Sequence, residues 1–159
     1  MRIGIGYDIH ALKRGRRLVL AGVTVPFTKG LEGHSDGDAV YHAIIDAAFG
    51  AAAGGDIGDL FPDTDARHRG ADSRIFVKKA VQELRRKKMK IVHIDSIVLA
   101  EAPKLGPHKE SMRKNIARDF GVPLARVGLK AKTNEGFGPV GRGQAIACHA
   151  VVLVKEGAR

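Results

Sequence analysis

The sequence has few cysteines, which form the disulfides of small extracellular domains, and few aromatic residues, which stack on nucleic-acid bases. It has one cysteine, no tryptophan, and aromatic side chains at only 5% of its 159 residues. Because one cysteine excludes an internal disulfide, and Cys148 lies in an apolar run over 145–154, we expect a small buried thiol in a reducing, cytoplasmic setting. No eighteen apolar residues run together and no apolar leader follows Met1, so we expect neither a membrane span nor an export signal.

Acidic residues are also scarce relative to basic ones. The chain has 27 Lys and Arg against 17 Asp and Glu, a net charge of +10. This charge is typical of nucleic-acid binders, but an anionic small substrate would use the same field. The basic residues concentrate in the runs 13–17, 78–90 and 109–118, two of which are predicted helices with a solvated face. Since no aromatic residues interleave with the basic ones, we do not expect a nucleic-acid partner, and nucleic-acid binding remains an alternative hypothesis.

The hydrophobic pattern predicts a single domain over 1–159 that begins with β-structure. With 44% hydrophobic residues the chain can bury a core. Strict alternation over 2–10 predicts a half-buried strand, and further extended structure follows over 18–25. Gly4 and Gly6 leave one face of the first strand bare, so that a helix or a ligand can approach its backbone closely.

The rest of the chain alternates between helical and extended patterns. Three-and-four spacing of apolar residues over 38–52 predicts an amphipathic helix, opened by Ser35 or Asp36. Further predicted elements are a helix capped by Asp72 or Ser73, a strand over 91–100, a helix from Pro107, and strands over 128–133 and 144–154.

The order β, β, α, α, β, α, β, β predicts an α/β (α+β) fold. We expect a two-layer sandwich in which helices cover one face of a small mixed sheet. The last strand is apolar on both faces, so the other face of the sheet needs a cover, and a subunit interface is the natural one. The segment 54–70, rich in Gly, Asp and Pro, is long for a connection in a compact domain and indicates function.

A metal site is one interpretation of the polar residues near the N-terminus. Asp8 and His10 lie on the same face of the first strand, about 7 Å apart at Cα. His42, on the polar side of the first helix, is a third candidate ligand, and Asp46 one turn away is a candidate partner for its other nitrogen. Asp, His and His leave a fourth tetrahedral position open, as in catalytic zinc sites. A solvated strand end and a solvent-facing helix residue are the alternative interpretations.

Five separated segments, taken together, carry a family resemblance. They are Gly6-Tyr7-Asp8-Ile9-His10, His34-Ser35-Asp36-Gly37-Asp38, the segment 55–65, Ala102-Pro103-Lys104 and Lys132-Thr133-Asn134-Glu135. In this order and spacing the chain resembles, over almost its whole length, the 2-C-methyl-D-erythritol 2,4-cyclodiphosphate synthases of the non-mevalonate isoprenoid pathway.

The resemblance implies an enzyme and an assembly. The family is a CMP-forming phosphorus-oxygen lyase that acts on a cytidine diphosphate-linked substrate, 4-diphosphocytidyl-2-C-methyl-D-erythritol 2-phosphate, and releases CMP and the cyclic diphosphate. It forms homotrimers in which the sheets pack around a threefold axis and the active sites lie between subunits. A generic metal-dependent phosphohydrolase remains the alternative enzyme.

The resemblance also implies metal ligands and substrate contacts. Asp8, His10 and His42 would bind Zn²⁺, and Glu135 would bind Mg²⁺ or Mn²⁺. The implied contacts to substrate are Ser35, Asp56, Ile57, Gly58, Phe61, Pro62, Asp63, Thr64, Asp65, Ala100, Glu101, Ala102, Pro103, Lys104, Leu105, Gly106, Lys132, Asn134 and Arg142.

The implied chemistry needs charge neutralisation more than a base. The nucleophile would be an oxygen of the 2-phosphate, which is largely ionised at neutral pH because its second pKa is about 6. His34 and Thr133 would then stabilise the transition state by donating hydrogen bonds.

The chain departs from the commonest family pattern at three positions. Tyr7 stands where Phe is frequent, and Gln144 and His149 stand where Glu is frequent. None of them is an implied metal ligand. In the family, Arg142 and its neighbours line a channel on the threefold axis that can hold an isoprenoid diphosphate, so the departures bear on that ligand rather than on the reaction.

Overall fold

The structure, a computed structural model, describes residues 1–61 and 70–157, with the backbone alone at Leu60. The strands are β1 (Arg2–Arg14), β2 (Leu18–Leu20), β3 (Val23–Val25), β4 (Lys29–Leu31), β5 (Met89–Leu99), β6 (Val127–Lys132) and β7 (Ala145–Glu156). Five of them form one sheet in the order β4-β1-β7-β5-β6, and β2 pairs with β3 in a separate hairpin. Since β5 and β6 run parallel while the other neighbours run antiparallel, the sheet is mixed.

The described helices are α1 (Ala39–Ala51), α2 (Ile57–Leu60), α3 (Arg74–Arg86), α4 (Lys109–Phe120) and α5 (Gly138–Gly141). Three of them, α1, α3 and α4, lie against one face of this sheet. Helix α1 packs on β1 and β7, α3 on β5, and α4 on β6. The predicted two-layer α/β sandwich with a mixed sheet is confirmed, whereas β4, α2 and α5 were not predicted. No described helix is long and apolar enough to span a membrane.

Helix α1 lies directly on the backbone of β1 because glycine occupies the contact points. A Cβ atom added at Gly4 would stand 1.9 Å from the carbonyl oxygen of Ala47, and one at Gly6 would stand 2.0 Å from that of Ala43. No side chain fits in that space. The close approach predicted from the two glycines is made by a helix, and it brings α1 next to the polar end of β1.

The N-cap of α1 is Asp38, not Ser35 or Asp36 as predicted. Its carboxylate accepts the N–H groups of the first turn of α1 and also those of Ala21 and Gly22, at 2.9 and 2.7 Å. Burial and the charge of Asp36 raise the pKa of Asp38 to about 6 in spite of these hydrogen bonds. The turn between β2 and β3 therefore decides which acidic residue caps the helix, and sequence spacing does not reveal that turn.

The apolar face of β1 points away from the helices. Ile3 and Ile5 are 70% and 74% exposed, and Tyr7 and Ile9 on the same face are also exposed. On the neighbouring strand His149 places its ring 4.6 Å from that of Tyr7. Contiguous apolar surface of this kind marks an interaction site on a folded protein. Among the described residues, nothing covers this part of the sheet face, for which the sequence predicts a subunit interface.

Candidate active site

Three predicted metal ligands converge where the inner face of β1 meets α1. Asp8 Oδ2 lies 2.9 Å from His10 Nε2 and 3.1 Å from His42 Nδ1, and the two histidine nitrogens are 3.3 Å apart. Among the described residues, they form the only group of three or more His, Cys, Asp or Glu whose ligand atoms lie mutually within 4.8 Å. Strand β1 fixes Asp8 and His10, and helix α1 holds His42 against them.

The charges in this group support one another. Burial by itself would raise the pKa of Asp8, but hydrogen bonds from His10 and His42 outweigh it and hold that pKa well below its ordinary value. Burial by itself would lower the pKa of His10, but the hydrogen bond to Asp8 outweighs burial and raises that pKa above its ordinary value. An ionised carboxylate between two imidazoles is the state in which this group can bind a cation.

The geometry of the group fits a tetrahedral zinc ion. With zinc–ligand bonds of about 2.0–2.1 Å, neighbouring ligand atoms of a tetrahedron are about 3.3–3.4 Å apart. The three observed separations, 2.9, 3.1 and 3.3 Å, require only small adjustments to meet this value. One carboxylate oxygen and two imidazole nitrogens suit zinc, whereas magnesium prefers an all-oxygen set.

The ligand group forms one wall of a cavity of about 400 Å³, which we call the metal cavity. Its lining is Asp8, His10, His34, Ser35, His42, Asp46, Asp56, Ile57, Gly58, Phe61 and Phe76. The structure thus brings the predicted metal ligands together with predicted substrate contacts from two other segments of the chain. Of the predicted contacts in the acidic loop, Pro62, Asp63, Thr64 and Asp65 lie outside the described residues.

The far nitrogen of His42 contacts serine hydroxyls rather than Asp46. His42 Nε2 lies 3.0 Å from Ser73 Oγ and 3.3 Å from Ser35 Oγ. Asp46 accepts the Ile57 N–H at 2.8 Å and so fixes the start of α2. The predicted Asp46 contact is corrected in this way because Nε2 faces the start of α3, which sequence spacing along α1 does not show.

Two residues at the metal cavity, Phe76 in its lining and Ser73 at the start of α3, were not singled out from the sequence as site residues. The sequence predicts Ser73 only as a possible cap of this helix. In the structure the Phe76 ring is 4.5 Å from that of Phe61 and 6.1 Å from that of His42. No local sequence signal identifies them, because α3 starts more than thirty residues after His42.

A second cavity, of about 360 Å³, lies at the carboxyl ends of β5 and β6 and is more open. Its lining is Ala100, Glu101, Pro103, Lys104, Leu105, Gly106, Pro107, Lys109, Ala131, Lys132 and Thr133. It contains most of the predicted contacts from the later segments and shares no lining residue with the metal cavity. Ala102 and Arg142 are exposed and do not line it.

The turn after β6 carries the remaining predicted residues. The Thr133 hydroxyl donates to Glu135 Oε1 at 2.6 Å, and Asn134 N–H donates to Glu101 Oε2 at 3.3 Å. Glu135 has a positive φ of 49°. Left-handed backbone at a residue other than glycine costs energy and recurs at functional sites. The turn therefore holds an exposed carboxylate at the rim of the second cavity.

Comparison with known proteins agrees with this geometry. Residues 1–155 match the YgbB family. The 2-C-methyl-D-erythritol 2,4-cyclodiphosphate synthase of Laribacter hongkongensis is 55% identical over 156 residues, which are 98% of this chain and 96% of that protein. A solved synthase in a CDP-bound form is 40% identical with a TM-score of 0.89, over 97% of this chain and 100% of that one.

A larger protein contains the same fold as one part. The bifunctional IspDF from Campylobacter jejuni superposes with a TM-score of 0.93 and 39% identity over 98% of this chain, which corresponds to 42% of that protein. Identity of this level over nearly the full chain exceeds a likeness of fold alone. The chain belongs to the YgbB family, that of the 2-C-methyl-D-erythritol 2,4-cyclodiphosphate synthases.

Proposed function

We propose that this chain converts 4-diphosphocytidyl-2-C-methyl-D-erythritol 2-phosphate to 2-C-methyl-D-erythritol 2,4-cyclodiphosphate and CMP, in isoprenoid precursor biosynthesis. The observation that carries the proposal is the convergence of Asp8, His10 and His42 at the wall of a cavity, in a chain of this family. The CDP-bound relative supports a cytidine diphosphate-linked substrate. A cytoplasmic location, with 1–159 as one domain, belongs to the same proposal.

The reaction is an intramolecular phosphoryl transfer. An oxygen of the 2-phosphate forms a new bond to the β-phosphorus, which closes the ring. The bond from that phosphorus to the bridging oxygen breaks, and CMP leaves with the electron pair. Because the attacking phosphate is already anionic, the protein must mainly offset negative charge and align the oxygens in line.

The proposed metals are Zn²⁺ and Mg²⁺ or Mn²⁺. Asp8, His10 and His42 would hold zinc, and Glu135 would hold the second cation. When bound, the two cations supply positive charge at the phosphate oxygens. The exposed position of Glu135, at the end of a turn, is consistent with a carboxylate that binds a cation together with substrate phosphates.

The chain's own donors would act on the same phosphates. His34 is exposed in the metal cavity, and the Ser35 hydroxyl lies beside it. Lys132 supplies a positive charge to the second cavity, and the Thr133 hydroxyl donates to Glu135 until a substrate oxygen competes for it. We propose His34 and Thr133 as donors to the transition state and Lys132 as a contact that eases the departure of CMP.

The proposal includes a homotrimer with active sites between subunits. Within one chain the two cavities are separate, although the substrate must contact both at once. The exposed apolar face of β1 offers a surface for a second copy, and head-to-tail contacts close into a ring. The metal cavity of one subunit and the second cavity of its neighbour would then form one site.

The test is product analysis with purified protein and the cytidine-linked substrate. We expect CMP and a cyclic diphosphate in equal amounts, with turnover abolished by a chelator and restored by divalent cations. Inorganic phosphate or a ring-opened product would instead identify a phosphohydrolase. Steeply salt-dependent binding of DNA or RNA without turnover would identify the nucleic-acid alternative.

The shared site is tested by mixing two inactive variants. Asp8→Ala and Glu135→Ala chains, unfolded together and reassembled, would form some interfaces in which each contributes its intact half. Activity should return in part in mixed trimers and in neither parent alone. Mixed trimers that form, as judged by native mass spectrometry, and stay inactive would show that both halves come from one chain.

A further inference from the structure

The two ring nitrogens of His42 face different surroundings. Nδ1 lies 3.1 Å from Asp8 Oδ2, in the metal-ligand group, while Nε2 lies 3.0 Å from the hydroxyl oxygen of Ser73. A neutral imidazole carries one proton, and only the nitrogen without it can bind a metal. Without a metal, Nδ1–H can donate to Asp8. A metal at Nδ1 displaces that proton, so the groups around Nε2 decide whether His42 keeps its remaining proton there.

The Ser73 hydroxyl has only one proton, and its position is fixed by Asp36. Ser73 Oγ lies 2.5 Å from Asp36 Oδ1, and the Ser73 N–H donates to Asp36 Oδ2 at 3.2 Å. Since a carboxylate accepts hydrogen bonds and does not donate them, the hydroxyl must donate to Asp36. The lone pairs that remain on Ser73 Oγ can only accept. The nearest donor to them is the Nε2–H of His42, at 3.0 Å, and the Ser35 hydroxyl is farther away, at 3.5 Å.

The Ser73 hydroxyl does not cap the helix that follows it. Ser73 is the N-cap residue of α3, but its side chain makes no capping hydrogen bond. Asp72 accepts the Arg74 N–H at 2.9 Å instead. Ser73 is fully buried, so water does not compete for its hydroxyl. A buried serine at a cap position that points away from its own helix is explained by its bonds to Asp36 and His42.

We infer that Asp36, acting through the Ser73 hydroxyl, holds the proton of His42 on Nε2 and so positions Nδ1 as a metal ligand. Asp36 and Ser73 are positioning residues in this arrangement, since neither reaches the metal position. The inference rests on the metal site of the proposed function and adds to it the groups that fix its histidine. It also separates the roles of two serines, because the Ser35 hydroxyl contacts the same nitrogen but makes no described hydrogen bond to the Asp36 carboxylate.

Zinc affinity, measured by competition with a chromophoric chelator, tests this arrangement on the full-length protein. Ser73→Ala should weaken zinc binding about 10- to 100-fold, the usual effect of losing a group that orients a metal-bound histidine. Asp36→Asn keeps the shape of the side chain but replaces an acceptor with a donor, so it should weaken binding in the same range. Ser35→Ala, the matched control, should lose clearly less affinity than Ser73→Ala.

The double variant distinguishes an arrangement that acts through Ser73 from two independent effects. If Asp36 acts through the hydroxyl, Asp36→Asn should weaken zinc binding no further in a chain that already carries Ser73→Ala. Urea unfolding of each variant with excess chelator shows whether the metal-free fold is preserved. Should Ser73→Ala fail to fold, Asp36→Asn and the Ser35→Ala control carry the comparison.

Nitrogen NMR of the zinc-loaded protein gives a direct readout of the histidine. We expect zinc on Nδ1 of His42 and a proton on Nε2. Zinc on Nε2, or unchanged zinc affinity in both Ser73→Ala and Asp36→Asn, overturns the inference. Asp8→Ala distinguishes this failure from failure of the metal site itself, because a chain that still binds zinc without Asp8 would contradict the proposed site and not merely its support.

Discussion

The metal cavity and the second cavity differ in how far a single chain completes them. The ligand atoms of Asp8, His10 and His42 are 2.9 to 3.3 Å apart, close to the separations in a tetrahedral site. Around the second cavity, Lys132 and Glu135 are exposed. The first is set by contacts between β1, α1 and α3, and the second lies at the end of two parallel strands.

This difference indicates what orders the residues of each cavity. The metal-binding half is pre-organised by packing, so it needs little rearrangement to receive a cation. The exposed half can be ordered by the substrate, by a cation or by a neighbouring subunit. Substitutions near the metal cavity should therefore affect metal binding and folding, whereas those near the second cavity should affect activity and leave stability nearly unchanged.

The largest effect is expected from removing the central ligand of the metal group. Asp8→Ala should abolish stoichiometric zinc and lower CMP release at least about a thousandfold, because zinc and the charge it supplies are lost together. Metal analysis and steady-state kinetics measure both. Asp95→Ala, which removes an exposed carboxylate paired with Lys130, is the control and should keep zinc. Full zinc content in Asp8→Ala would contradict the assignment.

A smaller loss of activity, without loss of zinc, is expected from a substitution at the second cavity. Glu135→Ala should lower CMP release about a hundredfold and remove its dependence on magnesium, since an electrostatic contact to the phosphates is lost. A magnesium titration and zinc analysis of the same sample measure this. Glu110→Ala on α4, an exposed acidic residue outside the second cavity, should titrate like the unaltered chain. If Glu135 bound no cation, Glu135→Ala would also give the magnesium titration of the unaltered chain.

The cap of α1 should matter for folding rather than for activity alone. Asp38→Ala should lower the free energy of unfolding by about 2–4 kcal/mol, because four backbone N–H groups lose a buried acceptor. Asp72→Ala removes the acceptor for Arg74 N–H at the exposed start of α3 and should cost about 1 kcal/mol or less. Urea unfolding compares the two, and equal costs would mean that the burial of Asp38 adds nothing.

The smallest expected effect, that of Gly106→Ala, is set against the effect of a glycine on the strand that carries Asp8 and His10. Gly6→Ala should cost about 1–3 kcal/mol, because its Cβ would displace the carbonyl of Ala43 and with it the helix that carries His42. No atom of the described residues lies within 4 Å of a Cβ added at Gly106, so Gly106→Ala should change stability by less than about 0.5 kcal/mol. Thermal unfolding measures both, and a tolerated Gly6→Ala would show that α1 is free to shift.

The sequence predicted the fold well wherever one spacing of apolar residues extended over a whole strand or helix. The alternation of β1 and the three-and-four spacing of α1 identified both elements, and the order of elements gave the sandwich. The structure adds β4, α2 and α5, which are three or four residues long, too short for a period to emerge. The predicted roles of site residues, the identity of the metals and the trimer stay predictions.

What the sequence determined by itself was the set of chemical groups and the faces on which they lie. Period-two spacing places Asp8 and His10 together, and two glycines beside them leave room for a helix. What only the tertiary structure decided was which distant groups meet those residues. The carboxylate of Asp38, which caps α1, also accepts an N–H group from the turn between β2 and β3. Ser73 contacts His42 because the start of α3 packs beside α1. Such contacts join residues far apart in the chain, and packing creates them where no local pattern can record them.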